Sequence, residues 1–117
     1  MAIVINISKP ENFLEVLNKE IDDGVVTSWR YDEDGDYTIT NSEYANKAWL
    51  HPYIQNDELI FGIMGRKNVL LTITEYSLYH SAMVETLVLH FSDIIREIRV
   101  IQPLLSDYDT HSIDYKK

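Results

Sequence analysis

The chain has 117 residues and no cysteine, and its 19 acidic residues outnumber its 10 basic residues to give a formal charge of −9 at pH 7. This length fits one domain with a core of its own, and the lack of cysteine excludes disulfides, zinc–thiolate sites, iron–sulfur clusters and thiol nucleophiles. An acidic surface repels phosphate backbones, so we expect no nucleic-acid partner.

The first predicted elements are a strand and a helix. Ala2–Ile7 is a short run of β-type residues. Ser8 can cap a helix that carries Pro10 in its first turn, and Glu11 can complete a capping box with Ser8. Apolar residues then recur at helical spacing up to Gly24, which can take a positive φ and end the helix.

A series of strands follows the first helix. Asp34-Gly35 is typical of a hairpin turn, and Asn56-Asp57 and Gly65–Asn68 also predict turns. Between these turns, apolar and polar residues alternate or β-type residues cluster. The predicted strands are Val25–Asp32, Asp36–Thr40, Lys47–Ile54, Glu58–Met64 and Val69–Tyr76.

The last predicted elements are a helix over Ser77–Phe91 and a strand over Ile95–Ile101. Ile95–Ile101 is rich in β-branched residues, which favours a strand, although its apolar spacing also fits an extension of the helix. The order β-α-β-β-β-β-β-α-β predicts an α+β domain over residues 1–105. We expect an antiparallel sheet of about five to seven strands with both helices on one face. Residues 106–117 form a polar tail that we expect to be mobile.

The stretch YDEDGDY at residues 31–37 has acids at alternate positions. Asp32, Asp34, Asp36 and Glu43 match ligand positions of a calcium-binding helix–loop–helix loop, but Tyr37 stands where that loop needs glycine. The flanking residues alternate as strands do, whereas the calcium motif needs helices. We therefore expect a solvated hairpin turn and no metal site.

Acidic residues cluster between Glu20 and Glu43, where Arg30 is the single basic residue. If the end of the first helix lies beside the hairpin, these acids form one anionic surface that suits a basic protein partner. Interleaved aromatic residues would add contacts with that partner, unless they face the core. The predicted partner-binding residues are Asp22, Asp23, Asp32, Glu33, Asp34, Asp36, Tyr37 and Glu43.

His80 lies on the apolar face of the second predicted helix. The simpler interpretation is a core histidine whose ring forms a hydrogen bond with a tyrosine or a backbone carbonyl. The alternative is a functional histidine in a pocket between the sheet and this helix, serving a small molecule or a reaction. The candidate pocket residues are His80, His51, Trp49 and Tyr76.

Leu78 and Leu89 lie on the opposite side of the same helix. Scattered exposed apolar residues are common on ordinary protein surfaces. The alternative interpretation is that these two leucines form the contact of a homodimer.

The common catalytic and cofactor-binding motifs do not occur in the sequence. It contains no phosphate-binding glycine loop, nucleophile-elbow serine or metal-binding histidine helix, so we expect a binding protein without a cofactor more than an enzyme. Clustered acids without a catalytic motif resemble small acidic immunity or inhibitor proteins, which neutralise basic nuclease toxins. This resemblance is one of composition. The N-terminus has no signal-peptide pattern and no run approaches ~20 apolar residues, so we expect a cytoplasmic protein without membrane contact.

Overall fold

The computed structural model describes residues 2–101, 108–109 and 113–114. Two helices and eight strands are formed by these residues. In chain order they are β1 Ala2–Asn6, α1 Pro10–Asp22, β2 Trp29–Tyr31, β3 Tyr37–Ile39, β4 Ala48–Gln55, β5 Glu58–Gly65, β6 Leu71–Thr72, α2 Ile73–Phe91, β7 Glu97–Ile101 and β8 Ile113–Asp114.

Six of the strands form one antiparallel sheet in the order β2-β3-β4-β5-β1-β7. Its core lies between one face of the sheet and both helices, where Ile5 of β1 packs with Leu17 of α1 and Leu87 of α2. Val4 and Ile60 form a smaller apolar cluster on the other face, as expected for side chains that alternate along a strand. The predicted α+β class, with two helices on one face of an antiparallel sheet, is confirmed.

The run after the second helix is a strand. α2 ends at Phe91, and Ile98 and Val100 of β7 pair with Ile5 and Ile3 of β1. Pairing satisfies the outer backbone groups of β1, and β-branched residues suit a strand better than another helical turn. The strand interpretation is therefore confirmed, and the alternative of a longer helix is wrong.

The capping box predicted at the start of α1 is wrong. Lys9 is the N-cap residue with a φ of 58°, and no side chain caps the helix. A left-handed residue between Ser8 and Pro10 places Ser8 outside the capping position. A capping box instead starts α2, where Thr72 Oγ1 accepts the Glu75 N–H at 3.1 Å and Glu75 Oε1 accepts the Thr72 N–H at 3.0 Å.

Two predicted strands are shorter in the structure. The strand predicted over Val69–Tyr76 is reduced to β6. The capping box at Thr72 starts a helix at Ile73, so residues 73–76 of the predicted strand are helical. The strand predicted over Val25–Asp32 is reduced to β2, and Val26 is buried while Val25 is exposed. The side-chain alternation predicted from Val25 onward therefore does not hold before Trp29.

The prediction of a mobile tail falls mainly on residues outside the described part of the chain. Where the tail is described, it contacts the domain. The Tyr108 and Tyr53 rings lie 5.2 Å apart, and Asp109 Oδ1 accepts the Ile63 N–H at 3.0 Å. β8 pairs in parallel with β6, separately from the six-stranded sheet. Among the described helices, none is both long enough and apolar enough to cross a membrane.

Candidate functional site

A hydrogen bond joins the end of α1 to the β2–β3 hairpin. Tyr31 Oη donates to the Asp22 carboxylate, lying 2.9 Å from each of its oxygens. This bond to the carboxylate raises the pKa of the Tyr31 hydroxyl. Because Asp32 directly follows Tyr31, the acids at the helix end and those of the hairpin come together, as one anionic surface requires.

The hairpin turn is shaped by one of its own acids. Asp32 Oδ1 accepts the backbone N–H groups of Asp34 and Asp36, each at 3.0 Å. Gly35 has a φ of 80°, a conformation that a residue with a side chain rarely adopts. Asp32, Glu33 and Asp34 remain exposed, so the turn presents carboxylates to solvent.

The carboxylates of Asp32, Asp34 and Asp36 converge, with one oxygen of each lying within 4.8 Å of the others. Asp36 is buried and its Oδ1 contacts His51 Nδ1 on the neighbouring strand β4. Two of the three carboxylates therefore already have protein partners, since Asp32 also binds the turn backbone. Acids of a tight turn converge for this structural reason alone, and the geometry assigns no metal.

Two residues predicted to bind a partner are buried. Tyr37 is 1% exposed, its ring packs against that of Phe61, and its hydroxyl donates to Asn18 Oδ1 at 2.6 Å. Burial raises the pKa of this hydroxyl far above its ordinary value. Asp36 is 6% exposed. The prediction that these two side chains contact a partner is therefore corrected, and the interpretation that the aromatic residues face the core applies to Tyr37.

The exposed acids that remain together are Asp22, Asp23, Asp32, Glu33 and Asp34, which we call the α1–hairpin surface. Lys19 Nζ binds Asp23 at 2.7 Å and offsets part of the charge. Arg30 donates to Asn46 Oδ1 at 3.0 Å. Glu43 is exposed on the turn after β3, where Asn41 Oδ1 accepts its backbone N–H at 2.9 Å.

The four candidate pocket residues are divided between the two faces of the sheet. Trp49 and His51 alternate along β4 with Leu50, which belongs to the core beneath the helices, so they lie on the opposite face. Tyr76 and His80 lie on the helix side, with their rings 4.5 Å apart. The predicted pocket that combines all four residues is therefore not formed.

His80 has the environment of a core histidine. It is 3% exposed, and its Nδ1–H donates to the Tyr76 carbonyl oxygen at 2.7 Å. This carbonyl lies one helical turn earlier, so the bond fixes the ring against its own helix. The interpretation of His80 as a hydrogen-bonded core residue is supported by this contact.

His80 also lines an open pocket of about 360 Å³ between α2 and β7. The lining residues described are Ser77, His80, Ser81, Val84 and Val100. Helical spacing relates the first four residues and could have grouped them from the sequence. Val100 could not be added from the sequence, because its position depends on pairing with β1 across most of the chain.

The two leucines proposed for a homodimer have different environments. Leu78 is partly buried and packs against the core, whereas Leu89 is 71% exposed near the end of α2. Neither observation identifies a dimer contact.

Comparison with protein-family models, curated proteins and solved structures found no match to this chain.

Proposed function

We propose that the protein is a non-catalytic binding protein that docks a basic protein partner through the α1–hairpin surface. The observation that supports this function is the hydrogen bond from Tyr31 to Asp22, because it holds the acidic end of α1 beside the acidic hairpin. A preformed surface binds without first ordering its elements, which reduces the entropic cost of association.

The charge of the chain favours this partner class. The α1–hairpin surface has five exposed carboxylates, and the whole chain carries −9. Such a field accelerates encounter with a positively charged protein and disfavours acidic competitors. Charges at the rim of an interface are screened by salt, with a Debye length of about 8 Å at physiological ionic strength. Binding should therefore weaken as salt is added.

The specific form that we propose is an immunity-type inhibitor, which neutralises a basic toxin by occupying its surface. The acidic surface would cover the cationic residues with which such a toxin binds its own anionic substrate. An inhibitor of this kind needs no catalytic group of its own. Added protein should then abolish the activity of the captured partner at a one-to-one ratio.

Two charge-reversed variants provide the test. Glu33→Lys with Asp34→Lys alters the α1–hairpin surface and leaves Asp32 to shape the turn. Glu85→Lys with Asp93→Lys changes the net charge equally at exposed positions on α2 and just after it. Wild type and both variants are used to retain proteins from the native lysate at low and high salt, and mass spectrometry identifies what is bound.

We expect wild type and the Glu85/Asp93 variant to retain one basic protein at low salt in a one-to-one ratio. The Glu33/Asp34 variant should lose at least about tenfold in affinity for it, because rim charges control association with a charged partner. Equal retention by the two variants, or no retained basic protein at either salt concentration, would contradict the proposed function.

A further inference from the structure

β7 is an edge strand of the six-stranded sheet, at the end opposite the β2–β3 hairpin. β1 pairs with one side of β7, and within the described part of the chain no strand pairs with its other side. The outer N–H and C=O groups of an edge strand can pair with an added strand. Val100 of β7 is 45% exposed, so this residue of the edge strand is partly open to solvent.

The two faces of β7 differ in chemistry. Ile98 and Val100 pair with Ile5 and Ile3, whose side chains face the helices, so this side of the edge is apolar. Glu97 and Arg99 alternate with them and lie on the other face. Arg99 binds Glu58 and Glu97 there. The charges that commonly protect a sheet edge from pairing are therefore absent from the α2 side of this strand.

The pocket beside His80 is lined in part by this edge strand. Val100 contributes to its lining together with Ser77, Ser81 and Val84 from α2. Its volume of about 360 Å³ lies within the range of ligand pockets and is sufficient for a large apolar side chain. The edge of β7 and this pocket therefore form one groove, which we call the α2–β7 groove.

We propose that the α2–β7 groove binds an extended segment of a second protein, which pairs with β7 and places an apolar side chain in the pocket. In this mode of recognition, backbone hydrogen bonds supply affinity and a pocket for alternate side chains supplies specificity. The groove lies at the other end of the sheet from the α1–hairpin surface. The proposal is thus independent of the function proposed above.

The charge of the chain favours a different protein over a second copy. Two copies paired at their β7 edges would each carry a formal charge of −9, and like charge opposes association. A neutral or basic segment avoids this repulsion. The segment that fits is therefore extended, neutral or basic, and apolar at alternate positions. A small apolar molecule would fill the pocket but leave the strand edge unpaired.

The test starts from peptides selected with the full chain from a phage-displayed library of random peptides. Synthetic copies of the selected peptides are then titrated by fluorescence anisotropy against wild type, Val84→Trp, which fills the pocket, and Val100→Asp, which alters the exposed edge. Leu89→Asp is the matched control, because Leu89 is exposed on the same helix and does not line the pocket. Circular dichroism checks that each variant is folded.

We expect the selected peptides to have apolar residues at alternate positions. They should bind Val84→Trp and Val100→Asp at least tenfold more weakly than wild type, and should bind Leu89→Asp as tightly as wild type. If Val84→Trp fails to fold, Val100→Asp carries the test, since that position is half-exposed. Methylation of a single backbone nitrogen of the peptide should abolish binding when it is placed at every second residue and should be tolerated at the residues between. Only alternate residues of an added strand form hydrogen bonds with β7.

Four outcomes would overturn the proposal. The first is a library without enriched peptides, and the second is an enriched peptide that binds wild type, Val84→Trp and Val100→Asp equally. The third is a sedimentation mass of two chains for wild type that Val100→Asp reduces to one chain, which would assign the groove to a second copy. A peptide that loses affinity only with the Glu33→Lys/Asp34→Lys variant would also contradict it, by locating binding on the α1–hairpin surface.

Discussion

Gly62 occupies a position in β5 where a side chain has no room. A Cβ atom at this residue would lie 2.0 Å from the Tyr108 carbonyl oxygen, which is far inside van der Waals contact. The neighbouring Ile63 N–H donates to Asp109 Oδ1 at 3.0 Å. The described part of the tail therefore sets the requirement for glycine, which the local sequence around β5 does not show.

We predict that Gly62→Ala lowers the free energy of unfolding by about 1–3 kcal/mol, because the tail or the strand must move. Urea denaturation of the full chain measures this change. In a chain that ends at residue 107 the Tyr108 contact is absent, and the same substitution should cost much less. Equal costs in the two chains would show that Tyr108 does not cause the effect.

Tyr37 gives a prediction for alkaline pH. Burial raises the pKa of its hydroxyl above the ordinary value near 10, so the folded chain keeps a proton that the unfolded chain loses. The resulting stability is fully present below about pH 10 and is lost as the pH rises above it, by about 1.4 kcal/mol per pH unit for one proton.

Tyr37→Phe should therefore reduce the loss of stability between about pH 9 and 11, the range in which an unfolded tyrosine titrates. Urea unfolding at several pH values measures the slope for wild type and the variant. Tyr53→Phe is the matched control, because Tyr53 is partly exposed on the other face of the sheet. The same slope in wild type and Tyr37→Phe would argue against this role of the buried hydroxyl.

The start of α2 shows how an element depends on one capping residue. Thr72 Oγ1 and the Glu75 carboxylate satisfy each other's backbone N–H groups. We predict that Thr72→Ala lowers the free energy of unfolding by about 1 kcal/mol, as loss of a helix cap typically does. Ser8→Ala should change it little, since no side chain caps α1. A larger effect of Ser8→Ala in thermal denaturation would contradict the observed start of α1.

Elements with clear periodicity could be predicted from the sequence, and those decided by longer-range context could not. The apolar spacing of α1 and the β-branched residues of β7 indicated their types correctly. Capping-box patterns occur near the start of each helix, at Ser8–Glu11 and Thr72–Glu75. The first was predicted and does not form, because Lys9 is left-handed. The second forms, although its β-branched neighbours favour a strand in the sequence.

At the scale of the whole molecule, the sequence predicts which residues form the acidic surface better than it predicts which side chains are buried. The acids of the α1–hairpin surface were identified from the sequence, but the burial of Asp36 and Tyr37 was not. Burial of these residues depends on how β3 pairs with β4 and how Tyr37 meets Asn18 of α1. The α2–β7 groove similarly depends on pairing between the two ends of the chain. Local pattern carries no information on such contacts.

The proposed function requires that the acids at the end of α1 and those of the hairpin act as one docking surface. An NMR titration of the ¹⁵N-labelled protein with the partner purified from lysate tests this claim most directly. We expect the largest amide shifts at residues 22–23 and 32–34 at low salt, and much smaller shifts at high salt, since the contact is electrostatic. Shifts that are largest on α2 or β7, or that persist unchanged at high salt, would contradict it.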